Sequence, residues 1–246
     1  MGYQDASGRR LSYDSYLHIP ALLELQQGLT QAHDELLFIV VHQVYELWFK
    51  VLIHELERVR GAIEAEELRA ARHSLARVKV IEDLLVEQVA VLETMAPQDF
   101  LSFRSELAPA SGFQSVQFRE IEFMSGLKDA GYIKTLDRDG DARARLQRRL
   151  DQPSLHDAFH ALIERRGVTV GDLYRQGDRH ADLLELAESL LDHDEGFRLW
   201  RLRHIEMVER QIGDKPGTGG STGVRYLQST LGKRFFPELW EVRSQL

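Results

Sequence analysis

Between Asp34 and Ala65 two apolar stripes run side by side at helical spacing. Leu37, Val40, Val44, Leu47 and Val51 form one, and Phe38, Val41, Tyr45, Trp48 and Leu52 form the other. Together they are wider than the single face of an ordinary amphipathic helix, which predicts a long helix buried on more than one side. Such an element has to be surrounded, and the rest of the chain offers helices to do it. Glu66 to Met95 repeats the pattern with Leu68, Leu75, Val78, Ile81, Leu85, Val89 and Leu92 facing inward. Pro97 opens a shorter helix, PQDFLSFRSEL, at the first-turn position that proline favours. Pro153 starts another to about Arg166, a long one spans roughly Arg179 to Ile212, and Val224 to Leu231 is helical before FFPELWEV near the C-terminus. Only six prolines interrupt the chain, and no run of alternating β-branched residues reads as a strand. The expectation is an all-α fold, one domain over residues 1–246 built as a bundle of long antiparallel helices. Residues 1–11 are polar and read as a mobile or subunit-docking arm. The charged stretch 128–152 reads as a surface excursion.

Composition removes several function classes. The formal net charge is −8, with 31 basic residues against 39 acidic ones, so an electrostatic grip on nucleic acid or anionic lipid is not expected. There is no cysteine, which excludes disulfides, zinc–thiolate sites, iron–sulfur clusters and thiolate ligation of haem. No N-terminal signal-like segment and no long uncharged apolar run is read, and the expected setting is the cytoplasm. A redox metal, if one is used, has to be held by histidine or carboxylate, or inside a non-covalent cofactor.

The residues able to carry chemistry fall in four places. His204 lies on an apolar stripe with Phe197, Trp200, Met207 and Val208 nearby, and is either a satisfied core histidine or an axial ligand to a buried flat cofactor. His42 stands among Phe38, Tyr45 and Phe49, where it either packs or exchanges a hydrogen bond with a ligand. Arg104, between Phe100, Phe103 and Leu107, needs an anionic partner: a nearby glutamate such as Glu106, or a ligand carboxylate held in a bidentate clamp. The loop GTGGSTG, with four glycines in seven residues, lets backbone and small hydroxyls approach a ligand, or simply stops a helix beyond Gly213. Its match to the GxSxG elbow of serine hydrolases lacks the required strand and any later histidine. His156 and His160 have metal-compatible spacing, but Asp157 and Arg165 around them read as a solvated face.

Read together, these stretches resemble the tryptophan 2,3-dioxygenase family. The resemblance is carried by LSYDSYL (11–17), HDELLFIVVHQVYELWFK (33–50), DFLSFRSELAPASGFQSVQFREIEF (99–123), LWRLRH (199–204), GTGGSTGVRYL (217–227) and FFPELWEVR (235–243), in family order along nearly the whole chain. It implies a helical bundle assembled as a homotetramer, binding haem b, dioxygen and L-tryptophan. The activity implied is the opening of the indole ring to N-formyl-L-kynurenine, the first step of tryptophan catabolism by the kynurenine pathway.

Position by position, the resemblance implies that His204 is the axial ligand of the haem iron and that His42 hydrogen-bonds the indole N–H. Phe38 and Phe100 would line the indole pocket, Arg104 would pair with the substrate carboxylate, and Thr218 would contact its ammonium and carboxylate end. Ser111 and Gly112 would lie near the haem edge and bound oxygen, with Arg119 at a haem propionate. Tyr13, Tyr16 and Leu17 would close the pocket of a neighbouring subunit.

Overall fold

A computed structural model describes residues 10–134, 136 and 140–246. It is all-α, as expected. Two short helices, α1 (Tyr13–Leu17) and α2 (Ile19–Leu22), meet at His18, whose φ of 54° turns the chain before Pro20 enters α2. The long α3 (Glu35–Glu64) and α4 (Leu68–Leu92) follow, then α5 (Pro97–Arg104) with Pro97 in its first turn. Next come α6 (Val116–Ser125), α7 (Ala130–Ile133), α8 (Gly140–Asp151), α9 (Leu155–Arg165) and α10 (Val170–Arg175). The longest helix, α11 (Ala181–Ile212), leads through the glycine loop to α12 (Val224–Ser229) and α13 (Pro237–Glu241). Pro153 precedes α9 rather than starting it; Ser154 is the cap, and it exchanges hydrogen bonds with Asp157 in a capping box.

The hairpin between α3 and α4 closes in three residues. Glu67 N–H reaches the Ala62 carbonyl at 2.8 Å and Glu66 N–H the Ile63 carbonyl at 3.1 Å, the two bonds of a Schellman stop. That stop requires a left-handed residue, and Glu66 takes φ 58° where glycine is usual. Its carboxylate is gripped by Arg165 at 3.2 Å and Arg166 at 2.8 Å from the end of α9, which ties the hairpin tip to a third helix.

Helix α4 lies between α3 and α11 and packs extensively on both. Leu52, Leu56, Leu75, Val78, Leu186 and Leu190 from these three helices join Phe159 and Leu162 of α9 in one buried cluster, with Phe235, Phe236 and Leu239 added from the C-terminal segment. Only one side of α3 is covered, however. Val41, Tyr45 and Leu52 are buried, whereas Leu36, Val40 and Leu47 are exposed, and an 18-residue window of this helix is long and apolar enough to cross a membrane by composition while only 22% of it is buried. The expectation of burial on more than one side therefore fails within one chain: Leu37 and Val51 of the first stripe still pack against the core, whereas Val40 and Leu47 lie uncovered.

The stretch 128–152 departs from a plain surface excursion. Where described, it contains α7 and α8, and α8 packs along α6. Tyr132, Ile133 and Leu146 bury themselves with Phe123 in a second small core, while the arginines of α8 face outward or pair with acids. The apolar residues are too sparse to show a stripe in the sequence but sufficient to fasten a short helix. Most of the expected N-terminal arm, residues 1–9, lies outside the described residues.

Candidate active site

One cavity of about 610 Å³ gathers residues from distant parts of the chain. Its lining includes Phe38, His42, Phe100, Arg104, Ser111, Gly112, Arg119, His204 and Thr218. Tyr13, Tyr16 and Leu17 do not reach it; they stand on the surface of α1, with Tyr13 73% and Tyr16 67% exposed.

His204 enters from α11. Its ring stacks on Trp200 one turn earlier, centroids 5.0 Å apart and planes 12° from parallel. It has no hydrogen-bond partner among the described residues. Burial pushes its imidazole down to about 4, with His42 adding to the effect, so the ring is neutral at physiological pH and keeps a lone pair for an electrophile.

His42 enters from α3, and burial holds it too below the usual imidazole range. Its Nδ1 lies 2.7 Å from the Phe38 carbonyl. A carbonyl can only accept, so Nδ1 carries the proton, and in the neutral ring Nε2 is left as an acceptor. Phe38 packs on His42 and stacks on Phe100 at 5.6 Å, with Phe103 edge-on to both phenyl rings. The result is an aromatic slot ending in a hydrogen-bond acceptor.

The polar end of the cavity is made by two loops folded on each other. Arg104, one turn beyond Phe100, donates to the Pro216 carbonyl at 2.5 Å, and among the described residues it forms no ion pair, with Glu106 or any other acid. Thr218 Oγ1 donates to the Ala110 carbonyl at 2.6 Å. Glycine is needed where the loops meet: a Cβ on Gly219 would stand 2.6 Å from Ser111 Cβ, and one on Gly223, at φ 65°, would strike the Lys215 carbonyl. Gly213 does end α11 with a positive φ, as a helix stop should. The glycines beyond it serve loop-on-loop contact.

At another part of the wall, three charged residues form a buried cluster. Glu122 accepts from Arg119 Nη1 at 2.6 Å and from Arg201 Nη2 at 2.7 Å, while Arg119 Nη2 donates to Tyr226 at 3.2 Å. Two guanidiniums share one carboxylate, and Arg119 Nε, Arg201 Nε and Arg201 Nη1 are buried with no partner. The charge is also offset by rings: Arg119 lies over Phe113 and Tyr132, and Arg201 over Phe197 and Phe235. The sequence reading found Arg119 but missed Glu122 and Arg201. The three-residue spacing of Arg119 and Glu122 was visible, whereas the contact between Glu122 and Arg201 depends on how α6 meets α11.

The family model described as tryptophan 2,3-dioxygenase matches residues 1–169 and 158–246. A protein of that name from Nocardioides sp. is 50% identical over 256 residues, covering 97% of this chain and 96% of the relative. Those from Caulobacter vibrioides and Serratia proteamaculans are 41% and 40% identical, covering 96% and 97% of this chain and 98% and 94% of the relatives. Likeness of this extent, spanning both the helices and the loops that meet at the cavity, has one consequence: the chain belongs to the tryptophan 2,3-dioxygenase family.

Proposed function

We propose that the cavity holds haem b and L-tryptophan together, and that the chain inserts both atoms of dioxygen across the indole C2–C3 bond to give N-formyl-L-kynurenine, the first step of tryptophan catabolism by the kynurenine pathway. The observation that carries this reading is a pair of neutral imidazoles lining one cavity, His204 with its lone pair uncommitted and His42 with Nε2 left as an acceptor. The donor set fits the cofactor. His204 would hold its iron, and Arg119, which lines the cavity, would meet one of its carboxylates. Ser111 and Gly112 also line the cavity and would lie beside the cofactor. When bound, haem supplies the ferrous iron at which dioxygen is activated.

The chain's own residues hold the substrate for that chemistry. The indole lies in the slot of Phe38 and Phe100, and its N–H donates to His42 Nε2. This fixes the rotation of the ring and so the direction in which C2 and C3 face. Arg104 exchanges the Pro216 carbonyl for the substrate carboxylate, a stronger, charge-assisted partner. Thr218 meets the ammonium and carboxylate end. Anchoring both ends of the amino acid can remove several kcal/mol of barrier, on the order of 7–11 when the reacting atoms sit near contact. Both oxygen atoms enter the product, so no external reductant is consumed in each turnover.

The working unit is a cytoplasmic homotetramer in which Tyr13, Tyr16 and Leu17 close a neighbour's pocket. The uncovered stripe of α3 and the exposed side chains of α1 support this, since both present apolar surface that a second copy would bury. The test is turnover by haem-loaded, reduced protein given L-tryptophan and ¹⁸O₂. N-formylkynurenine carrying both labelled atoms is expected. Haem-loaded protein that makes no product, or a product with a single labelled oxygen, overturns the reading.

A further inference from the structure

Away from the cavity, α9 presents His156 and His160 to the first turn of α13. The two histidines are one helical turn apart on the same face, with ring centroids 4.4 Å apart. His156 Nε2 lies 3.3 Å from one oxygen of Glu238 and His160 Nε2 lies 3.0 Å from the other. None of the three residues lines the cavity described above. We infer that His156, His160 and Glu238 form a second metal site, one that takes a divalent ion of the zinc class and clasps α9 to the C-terminal segment.

The geometry is that of a ligand set. A four-coordinate zinc with bonds of about 2.0–2.1 Å places its ligand atoms about 3.3 Å apart. Both histidine-to-glutamate separations already approach that edge length, and one ligand atom from each residue falls within 4.8 Å of the other two. Two imidazoles and one carboxylate are a zinc-type donor set that leaves a fourth position for water, and they suit Zn²⁺ better than Mg²⁺ or Ca²⁺, which prefer oxygen. Among the described residues Glu238 pairs with no lysine or arginine; its partners are the two imidazoles themselves, which give up their shared protons when an ion binds.

The ligands are also held in place. His156 is wedged beside Gly126, whose φ of 137° and missing Cβ allow an approach in which a Cβ would stand 3.0 Å from His156 Cβ. Its ring also stacks against Phe236. Both ends of the turn that carries Glu238 are fixed by Asp194 of α11, which accepts from Phe236 N–H at 3.1 Å and Trp240 Nε1 at 2.9 Å. The three side chains remain 24–40% exposed, so an ion can enter from solvent. Bound there, it would cross-link α9 to the segment that buries Phe235, Phe236 and Leu239 in the main core.

The experiment is titration of tag-free, chelator-treated haem-loaded protein with Zn²⁺ alone, read by calorimetry and by the melting temperature. One zinc per chain and a higher melting temperature are expected. His160→Ala and Glu238→Gln, both at partly exposed positions, should each weaken binding by about tenfold or more while leaving the haem spectrum unchanged. Wild-type protein that takes up no stoichiometric zinc, or variants that bind it as tightly as wild type, overturn the inference. Should the variants fail to fold, X-ray absorption at the zinc edge of the wild-type complex decides instead: two imidazoles and a carboxylate support the site, and any other shell removes it.

Discussion

Helix α11 carries two histidines three turns apart on nearly the same face, His193 and His204, with opposite surroundings. Both ring nitrogens of His193 are bonded, Nδ1 to Glu82 at 2.7 Å and Nε2 to Ser125 at 2.8 Å, and the residue is 1% exposed. His204 has neither bond and lines a cavity. By contact alone Ser125, His193 and Glu82 copy the order of a hydrolase triad, yet all three are sealed in the core and no substrate could reach the serine. They join α6, α11 and α4 instead, and Gly196 makes room, since a Cβ there would stand 2.7 Å from Glu82. A functional histidine in this bundle is marked by what it leaves unbonded.

The strongest way to break that contrast is to exchange the fates of the two residues. His204→Ala should abolish turnover and axial ligation while the cofactor-free chain melts nearly as before; retention of the wild-type haem spectrum would remove His204 from the iron. His193→Ala should do the reverse. It leaves the buried Glu82 and Ser125 without their partner, a loss of about 1–3 kcal/mol in denaturant unfolding, while the folded fraction keeps a normal haem spectrum. A destabilisation under 1 kcal/mol would show that the buried network is not a clamp.

A smaller effect is expected at Arg104. Losing one charged hydrogen-bonding partner costs about 1.5–3 kcal/mol, so Arg104→Ala should raise KM for tryptophan by about 10- to 150-fold with much less change in kcat. An unchanged KM would leave Arg104 as no more than a brace for Pro216. The smallest effect concerns His42. Burial lowers its imidazole, and only the neutral ring can accept from the indole N–H. Activity should therefore persist as pH falls past the ordinary imidazole value of about 6.5 and decline only below it. An acid limb of kcat/KM at or above that value would contradict a neutral acceptor.

Much of this was legible in the residues. The periodicity of α3, α4 and α11 and the first-turn position of Pro97 are local properties, and they appear where helical spacing puts them. The cavity residues were legible as types, such as a histidine on an apolar stripe or an arginine between phenylalanines. What could not be read were partners chosen by helix docking: Glu122 with Arg201, Glu82 with His193, Glu66 with Arg165 and Arg166. Periodicity says which way a side chain faces but not which residue of another helix it meets. For the same reason the two stripes of α3 looked equally buried, although the chain leaves Val40 and Leu47 of the first uncovered. Histidines 156 and 160, with charged neighbours on α9, read as a solvated face because Glu238 lies 78 residues beyond His160.

If the cavity holds haem as proposed, the life of the chain is tied to its supply of cofactor. Without a bound anion, the folded protein keeps one surplus positive charge and three unanswered donors away from water. A cofactor that binds only the folded form offsets such a burden by mass action, about 2.7 kcal/mol at a hundred times its dissociation constant. A cell short of haem would then hold fewer intact copies of this protein as well as fewer active ones, because proteases act on the unfolded fraction. Abundance itself would then report the supply of haem.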